Sequence, residues 1–273
     1  MSKKIEFSII LPTYNRCYIL WQAILSVIAQ TYPYWELIIV DDASNDDTEK
    51  LVAQINDPRI CYFKLKQNQG PAAARNFGLS KAKNEFIAYI DSDNKWYQDF
   101  LEVVVNTFEK YPNKKACFCK KNYRLKITGT KKGKDYFLRD EFTNHRKHFD
   151  IKRLWQRKIV IDTNTLVHKK EVMKKVGKWD QHLDFWEDFE FSLRISEKYP
   201  DGFIYINRAL VDYEQELNLK NKNQVFKRWE KAEKYIFNKH KKHPLMTEQK
   251  WYPPEVGYKS TENVIKYLSS KKL

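Results

Sequence analysis

The chain has 273 residues, 42% hydrophobic and 15% aromatic, which suits one large α/β domain, or a domain with an appendage, and excludes global disorder. Fifty Lys and Arg against 35 Asp and Glu give a formal charge of +15, and residues 217–273 hold 14 basic but only 5 acidic side chains. No apolar run approaches the roughly 18 residues of a bilayer span, Met1–Lys4 lead into a strand without a signal-peptide core, and Cys17, Cys61, Cys117 and Cys119 lack metal or disulfide spacing, so a cytoplasmic protein is expected.

In chain order, Lys4–Leu11 alternates and then turns apolar, as a buried parallel strand does, and Pro12-Thr13-Tyr14-Asn15-Arg16 makes a turn. Ile19–Ala29 has helical spacing, with Leu20, Ile24, Leu25 and Ile28 on one face. Leu37–Val40 reads as a second buried strand running into Asp41-Asp42-Ala43-Ser44-Asn45-Asp46-Asp47-Thr48, where Asp47 is expected to cap a helix over Glu49–Ile55. Arg59–Leu65 is a third strand, Gly70–Gly78 opens a helix, and Glu85–Ile90 is a fourth strand ending in Asp91-Ser92-Asp93. Further on come a helix over Phe100–Tyr111, weak strands within the basic stretch Lys114–Lys134, and strands at Ile159–Thr163 and Thr165–Val167. A short helix at Glu171–Val176, a helix over Asp188–Tyr199 and a strand at Phe203–Ile206 follow. Val225–Lys241 reads as a basic amphipathic helix with Phe226, Trp229, Ile236 and Phe237 as its apolar members.

Strands alternating with helices predict an α/β fold with a doubly wound, mostly parallel sheet, whose ligands sit at the carboxyl ends of the strands. That rule gathers Thr13-Tyr14, Asp41-Asp42 and Asp91/Asp93 along one edge. Asp91 and Asp93, one residue apart, would repel each other; a hard divalent cation, Mn²⁺ or Mg²⁺, relieves them and implies phosphate on the ligand, whereas a solvated turn is the plain alternative. An EF-hand is excluded because Trp96 stands where that loop needs glycine. Asp41 or Asp42 suits a nucleobase N–H, Tyr14 a stacked base, and Arg75 a diphosphate, although each has a structural reading as core tyrosine or surface ion pair. Trp186-Glu187-Asp188 combines an indole platform with carboxylates able to act as a base, or simply caps a helix.

Taken together, Ser8–Arg16, Ile39–Ser44, Asn68-Gln69-Gly70 with Ala74–Gly78, Asp91-Ser92-Asp93 and Trp186-Glu187-Asp188 resemble the family 2 glycosyltransferases of GT-A fold, in order and spacing over roughly residues 5–215. The resemblance implies a metal-dependent, inverting enzyme that moves one sugar from a nucleotide-diphosphate sugar, a UDP-sugar first, to a saccharide hydroxyl of a cell-surface glycan, lipid-linked oligosaccharide or cell-wall polymer. It implies a nucleotide site of Pro12, Thr13, Tyr14, Asp42, Arg75, Asp91 and Ser92. Asp93, with Asp91, would hold Mn²⁺ or Mg²⁺; Asp188 would be the catalytic base, with Glu187 beside it and Trp186 shaping the acceptor side. The expected fold is then a Rossmann-like GT-A catalytic domain over residues 1–216, split near residue 95 into nucleotide-binding and acceptor-binding halves. A short basic helical extension over 217–273 completes it.

Two departures stand out. Tyr213-Glu214-Gln215-Glu216 lacks the histidine that many relatives carry there, and Gln224–Trp229 has one residue too many for the Q-x-x-R-W of processive members. The basic tail offers attachment to the anionic inner face of a membrane, with Trp229, Phe226 and Phe237 at the interface, or else packs on the catalytic domain. A sugar-phosphate nucleotidyltransferase would want a Gly-rich phosphate loop where Pro12–Arg16 stands. A nucleic-acid-binding protein leaves the acidic strand ends unexplained, so no nucleic-acid partner is expected.

Overall fold

A computed structural model describes residues 4–128, 136–140, 149–156 and 159–246. The first half alternates as expected: β1 (Phe7–Thr13), α1 (Cys17–Ile28), β2 (Trp35–Asp41), α2 (Thr48–Ala53), β3 (Ile60–Lys64), α3 (Pro71–Lys81) and β4 (Phe86–Tyr89). β5 (Lys95–Trp96), α4 (Phe100–Lys110), β6 (Ala116–Thr128), β7 (Tyr136–Asp140), α5 (Ile151–Trp155) and β8 (Leu166–Lys169) follow. α6 (Met173–Val176), α7 (Glu187–Lys198), β9 (Phe203–Asn218) and α8 (Lys222–His240) complete the order. The strands form one sheet in the order β3-β2-β1-β4-β8-β6-β9-β5, with β7 paired to β6.

The expected α/β fold is observed. β3, β2, β1 and β4 are mutually parallel, and β6 runs parallel to β9, while β8, β7 and β5 join antiparallel. Two apolar layers cover the sheet. One places Leu20, Ala23, Ile24 and Val27 of α1 and Leu101, Val104 and Phe108 of α4 against Phe7, Ile9 and Leu11. The other sets α3, α7 and α8 against Ile10, Ile38, Val40 and Tyr89. Burying each Leu, Ile, Val or Phe among them contributes about 1.5–3 kcal/mol. Gly78 lets α3 lie flat on the sheet, since a Cβ there would stand 2.6 Å from the Ile10 side chain.

Several expectations are corrected. Leu25 points outward, because α1 turns its 20-23-24-27 face to the sheet. Ile159–Thr163 is not a strand: the Asp162 carboxylate accepts the Asn164 N–H and caps a 3-10 turn over Thr163–Thr165. Asp47 pairs with Lys50 rather than capping α2; Asp46 does that work, accepting from the Thr48 N–H and hydroxyl while its second oxygen takes the Cys17 N–H. The strand expected at Phe203–Ile206 runs on to Asn218, drawn out by its pairing with β6, and β5, β7 and α5 were not expected. Within Lys114–Lys134 one long β6 replaces weak strands, and residues 129–134 lie outside the described ones.

α8 packs on the rest of the chain. Ala232 and Ile236 are buried, Trp229 lies against Phe185 and Trp186, and Lys239 pairs with Asp180 at 2.6 Å and Glu190 at 2.7 Å. Glu190, fully buried on α7, also holds Arg194 at 2.8 Å and His240 at 3.3 Å, and these partners take its carboxyl down to about 2 despite burial. Trp229 and Phe237 are therefore spent on intramolecular packing rather than held at an interface; the Phe226 side chain lies outside the described residues.

Candidate active site

Parallel register sets the ends of β1 and β2 level, with Thr13 opposite Asp41, and the Asp42 N–H donates to the Thr13 carbonyl at 2.8 Å. The loops beyond are latched: Asn15 donates its N–H to Ser44 Oγ, and Asn15 Oδ1 accepts the Asn45 N–H. Asn15 and Ala43 take φ of 51° and 67°, and Trp186 takes 64°. These are the three positive-φ residues other than glycine among the described ones, and each such conformation costs about 1–3 kcal/mol. All three sit in loops beside the candidate site residues. Pro12 and Thr13 are buried there, the Thr13 hydroxyl without a partner among the described residues, and the Tyr14 ring is 45% exposed.

Asp42 is committed first to its own loop. Its two oxygens accept the Gln69 N–H at 2.9 Å and the Gly70 N–H at 2.7 Å, so it fixes the entry to α3, where Gly70 has φ 88°. Burial still raises its carboxyl, against the pull of those two N–H groups. Each oxygen keeps a second lone pair for a ligand. Asp41 holds the other side, accepting from the Ser44 N–H and the Tyr62 hydroxyl.

Asp91-Ser92-Asp93-Asn94 forms a tight turn, in which the Asp91 carbonyl accepts the Asn94 N–H. Asp91 Oδ1 pairs with Arg75 at 2.8 Å, and Oδ2 accepts from the Asn164 amide at 2.9 Å. Arg75, 3% exposed on α3, turns its other terminal nitrogen to Glu187, also at 2.8 Å. One guanidinium thus joins the acidic turn after β4 to the start of α7, reaching from α3 to a carboxylate 112 residues further on.

The remaining two acids are less well compensated. Asp93 meets Arg16 only at 3.4 Å; burial and the Asp91 charge push its carboxyl up to about 6. At Asp188 burial, then Glu187 and Asp162, push the carboxyl up to about 8; the Phe189 N–H and Lys121 pull the other way. Trp186 stands at the first turn of α7 with its ring near Phe189 and Trp229. The structure therefore brings Asp91, Arg75 and Glu187 into direct contact, sets Asp93 within electrostatic reach of Asp91, and puts Trp186 and Asp188 on the same segment. Ser92 is buried in the turn.

The donor set suits a hard divalent cation. Asp93, short of positive charge, and Asp91 beside it offer carboxylate oxygens, and such ions complete their shells from phosphate and water. Among the described residues no three His, Cys, Asp or Glu side chains converge on a metal-sized point, so diphosphate oxygens would supply the rest.

The sequence reading missed Asn164, Asp162, Lys121 and Tyr213. Lys121 pairs with Asp162 at 2.8 Å and lies 3.6 Å over the Tyr213 ring, which stacks on Tyr123. The Tyr213 hydroxyl is raised by burial and by the charges of Asp162, Tyr123, Asp93 and Asp91. A turn reading of Asp162-Thr163-Asn164-Thr165 was the available signal, since Asp and Asn bond their own backbone.

The sequence model described as Glycosyl transferase family 2 matches residues 8–177. An uncharacterized glycosyltransferase of Rickettsia typhi is 31% identical over 209 residues, covering 75% of this chain and 64% of that protein. WfgD of Escherichia coli, named a UDP-Glc:alpha-D-GlcNAc-diphosphoundecaprenol beta-1,3-glucosyltransferase, is 40% identical over 103 residues, 38% of this chain and 41% of its own length. The chain thus spans less than two thirds of either relative. The mannosyltransferase PcManGT from Pyrobaculum calidifontis, solved with GDP-Man and Mn²⁺, shares the fold with a TM-score of 0.67 at 19% identity, over 96% of this chain and 70% of that one.

Proposed function

Because this chain belongs to glycosyl transferase family 2, we propose that it transfers a single sugar, with inversion, from a nucleotide-diphosphate sugar to a saccharide hydroxyl in cell-surface glycan synthesis. A UDP-sugar is the favoured donor, and a lipid-linked oligosaccharide or cell-wall polymer the favoured acceptor class, in keeping with the name of WfgD. Residues 1–216 would form the catalytic domain and 217–273 a basic extension. The observation that carries this reading is the double ion pair of Arg75, which sets a phosphate-side acid, Asp91, next to an acceptor-side acid, Glu187.

In this reading the Tyr14 ring stacks on the base, Thr13 and Asp42 meet its polar edge, and Pro12 closes the wall. Arg75 and Ser92 order the ribose and diphosphate side through Asp91. Asp93, with Asp91 beside it, would hold Mn²⁺ or Mg²⁺, which when bound would supply positive charge to neutralise the diphosphate. Trp186 supports the acceptor sugar. Asp188 takes the proton of the acceptor hydroxyl as its oxygen bonds to the anomeric carbon. The carbon–diphosphate bond breaks on the opposite face, through an oxocarbenium-like state, and the configuration inverts. A carboxyl near pH 8 in the free protein is a stronger base than an ordinary aspartate, which suits that task.

No helix among the described residues is long and apolar enough to cross a membrane. The outer face of α8, with Lys227, Lys231 and Lys234 exposed, suits peripheral attachment to an anionic surface facing the cytoplasm. A thermal-shift panel of UDP, GDP, CDP and dTDP with and without Mn²⁺ tests the donor reading. UDP with Mn²⁺ should stabilise most, and failure of all four would defeat it.

A further inference from the structure

Asp91 is gripped from two directions. From one side, Arg75 pairs with Oδ1 and Glu187 together. From the other, Asn164 accepts the Asp91 N–H at 2.6 Å and donates its amide to Asp91 Oδ2 and to Asp162 Oδ1, both at 2.9 Å. Asn164 is fully buried and is itself fixed. Its N–H donates to Asp162, and its carbonyl accepts the Trp96 indole N–H at 2.9 Å. Trp96 in turn stacks on Phe100 at 4.1 Å. The result is one unbroken chain of polar contacts, Lys121–Asp162–Asn164–Asp91–Arg75–Glu187, running from β6 through the acidic turn to the start of α7.

Such an arrangement does more than neutralise charge. Both oxygens and the N–H of Asp91 are used, so any ligand that draws on Asp91 must act on a carboxylate whose other contacts are rigid. A buried guanidinium with carboxylates on two of its nitrogens has no slack either. A shift of Asp91 therefore passes to Glu187, and with it to the neighbouring Asp188, rather than being absorbed by a loose side chain. We propose that Asn164 and Arg75 are positioning residues that couple occupation of the nucleotide-diphosphate side to the placement of segment 185–189, which carries Asp188. This rests on the function proposed above. Asn164 meets no ligand; it acts through Asp91.

Hydrogen-exchange mass spectrometry on the full chain tests the coupling, with UDP and Mn²⁺ as the probe, because UDP lacks the transferred sugar that would touch segment 185–189 directly. In the unaltered protein, UDP with Mn²⁺ should slow exchange at 13–16 and 42–46, and also at 185–189 by about fivefold or more, the low end of ordinary coupling. Asn164→Asp keeps the side-chain shape but turns a carboxylate toward Asp91. Arg75→Lys keeps the charge but cannot serve both acids in one plane. Either should keep the protection at 13–16 and 42–46 and lose it at 185–189. In transfer assays Asn164→Asp should lower kcat while KM for the donor stays within about twofold. Arg75→Lys carries the test alone if Asn164→Asp fails to fold. Persistent protection of 185–189 in the variant would overturn the coupling, as would its absence in the unaltered protein when 13–16 and 42–46 are protected. No protection anywhere with UDP or GDP would instead overturn the donor reading, and the coupling with it.

Discussion

The acid limb of the pH profile follows from the crowding of carboxylates around Arg75. In the free protein the Asp188 carboxyl is pushed from 3.8 up to about 8, by burial first, then by Glu187, then by Asp162. Asp93 is pushed up to about 6 by burial and by Asp91. In the proposed mechanism both acids must be ionised, one to take a proton and one to hold a cation. With Mn²⁺ saturating and so competing with the proton at Asp93, kcat/KM for the donor should fall tenfold per pH unit below about 8, as Asp188 takes up its proton. Glu187→Gln removes the second-largest cause and leaves Arg75 less neutralised, and both changes favour an ionised Asp188. At an effective dielectric of about 20, charges about 6–8 Å apart interact by roughly 2–3 kcal/mol. Allowing for water at the partly exposed carboxylates, a downward shift of roughly one to two units is expected. A nucleotide-release assay from pH 5 to 9, with Mn²⁺ saturating and donor well below KM, reads it directly. An acid limb that stays in place, or moves upward, would refute the electrostatic link between Glu187 and Asp188.

Asp188→Asn should lower transfer by about 10²–10⁴-fold with UDP affinity nearly unchanged by calorimetry. The same variant should raise the thermal midpoint most at high pH. The native protein holds this proton more tightly than the unfolded chain, so stability falls as pH rises from 3.8 through about 8, and the substitution removes that loss. Tyr14→Ala should weaken UDP binding by about 5- to 150-fold, the value of one stacked base, and equal binding would remove the ring from the base site. Glu190→Ala leaves Arg194, Lys239 and His240 around an empty buried position and should cost about 3–5 kcal/mol in urea unfolding at neutral pH. That contribution exists above the ordinary glutamate range and is lost as pH falls toward about 2, so the variant and the parent should converge in acid.

The parallel half of the sheet could be read from residues because its strands are largely apolar runs separated by helix-length segments. Five short motifs then placed the candidate site at one sheet edge. What could not be read came from partners far away in sequence. Ile159-Val160-Ile161 looks like a strand, since nothing local says that Asp162 will bond Asn164 and turn the chain. β9 extends to Asn218 only because β6 lies beside it. Arg75 drew attention as a phosphate ligand because it stands at a helix start. Its partners within the fold, Asp91 and Glu187, lie 16 and 112 residues away. The partners of α8 were equally hidden: Glu190 is a helix acid in the sequence and the hub of a buried ion cluster in the fold.

These distant contacts also divide labour among acids of similar chemistry. Asp91 has Arg75 on one oxygen and Asn164 on the other, so its charge is cancelled and its position set. Asp93, one residue on, has a partly exposed Arg16 at 3.4 Å and so is left with charge to offer a cation. Asp188 follows Glu187, which takes Arg75 for itself; Asp188 is left with burial, repulsion and a high proton affinity. Had Arg75 reached Asp188 instead, that carboxylate would be a poor base, and Glu187 would carry the unpaired charge. In the proposed mechanism the placement of one guanidinium therefore decides which carboxylate is a strut, which would hold a cation and which would accept a proton. Exchanging positions 187 and 188 should not preserve transfer, even though the two acids remain adjacent.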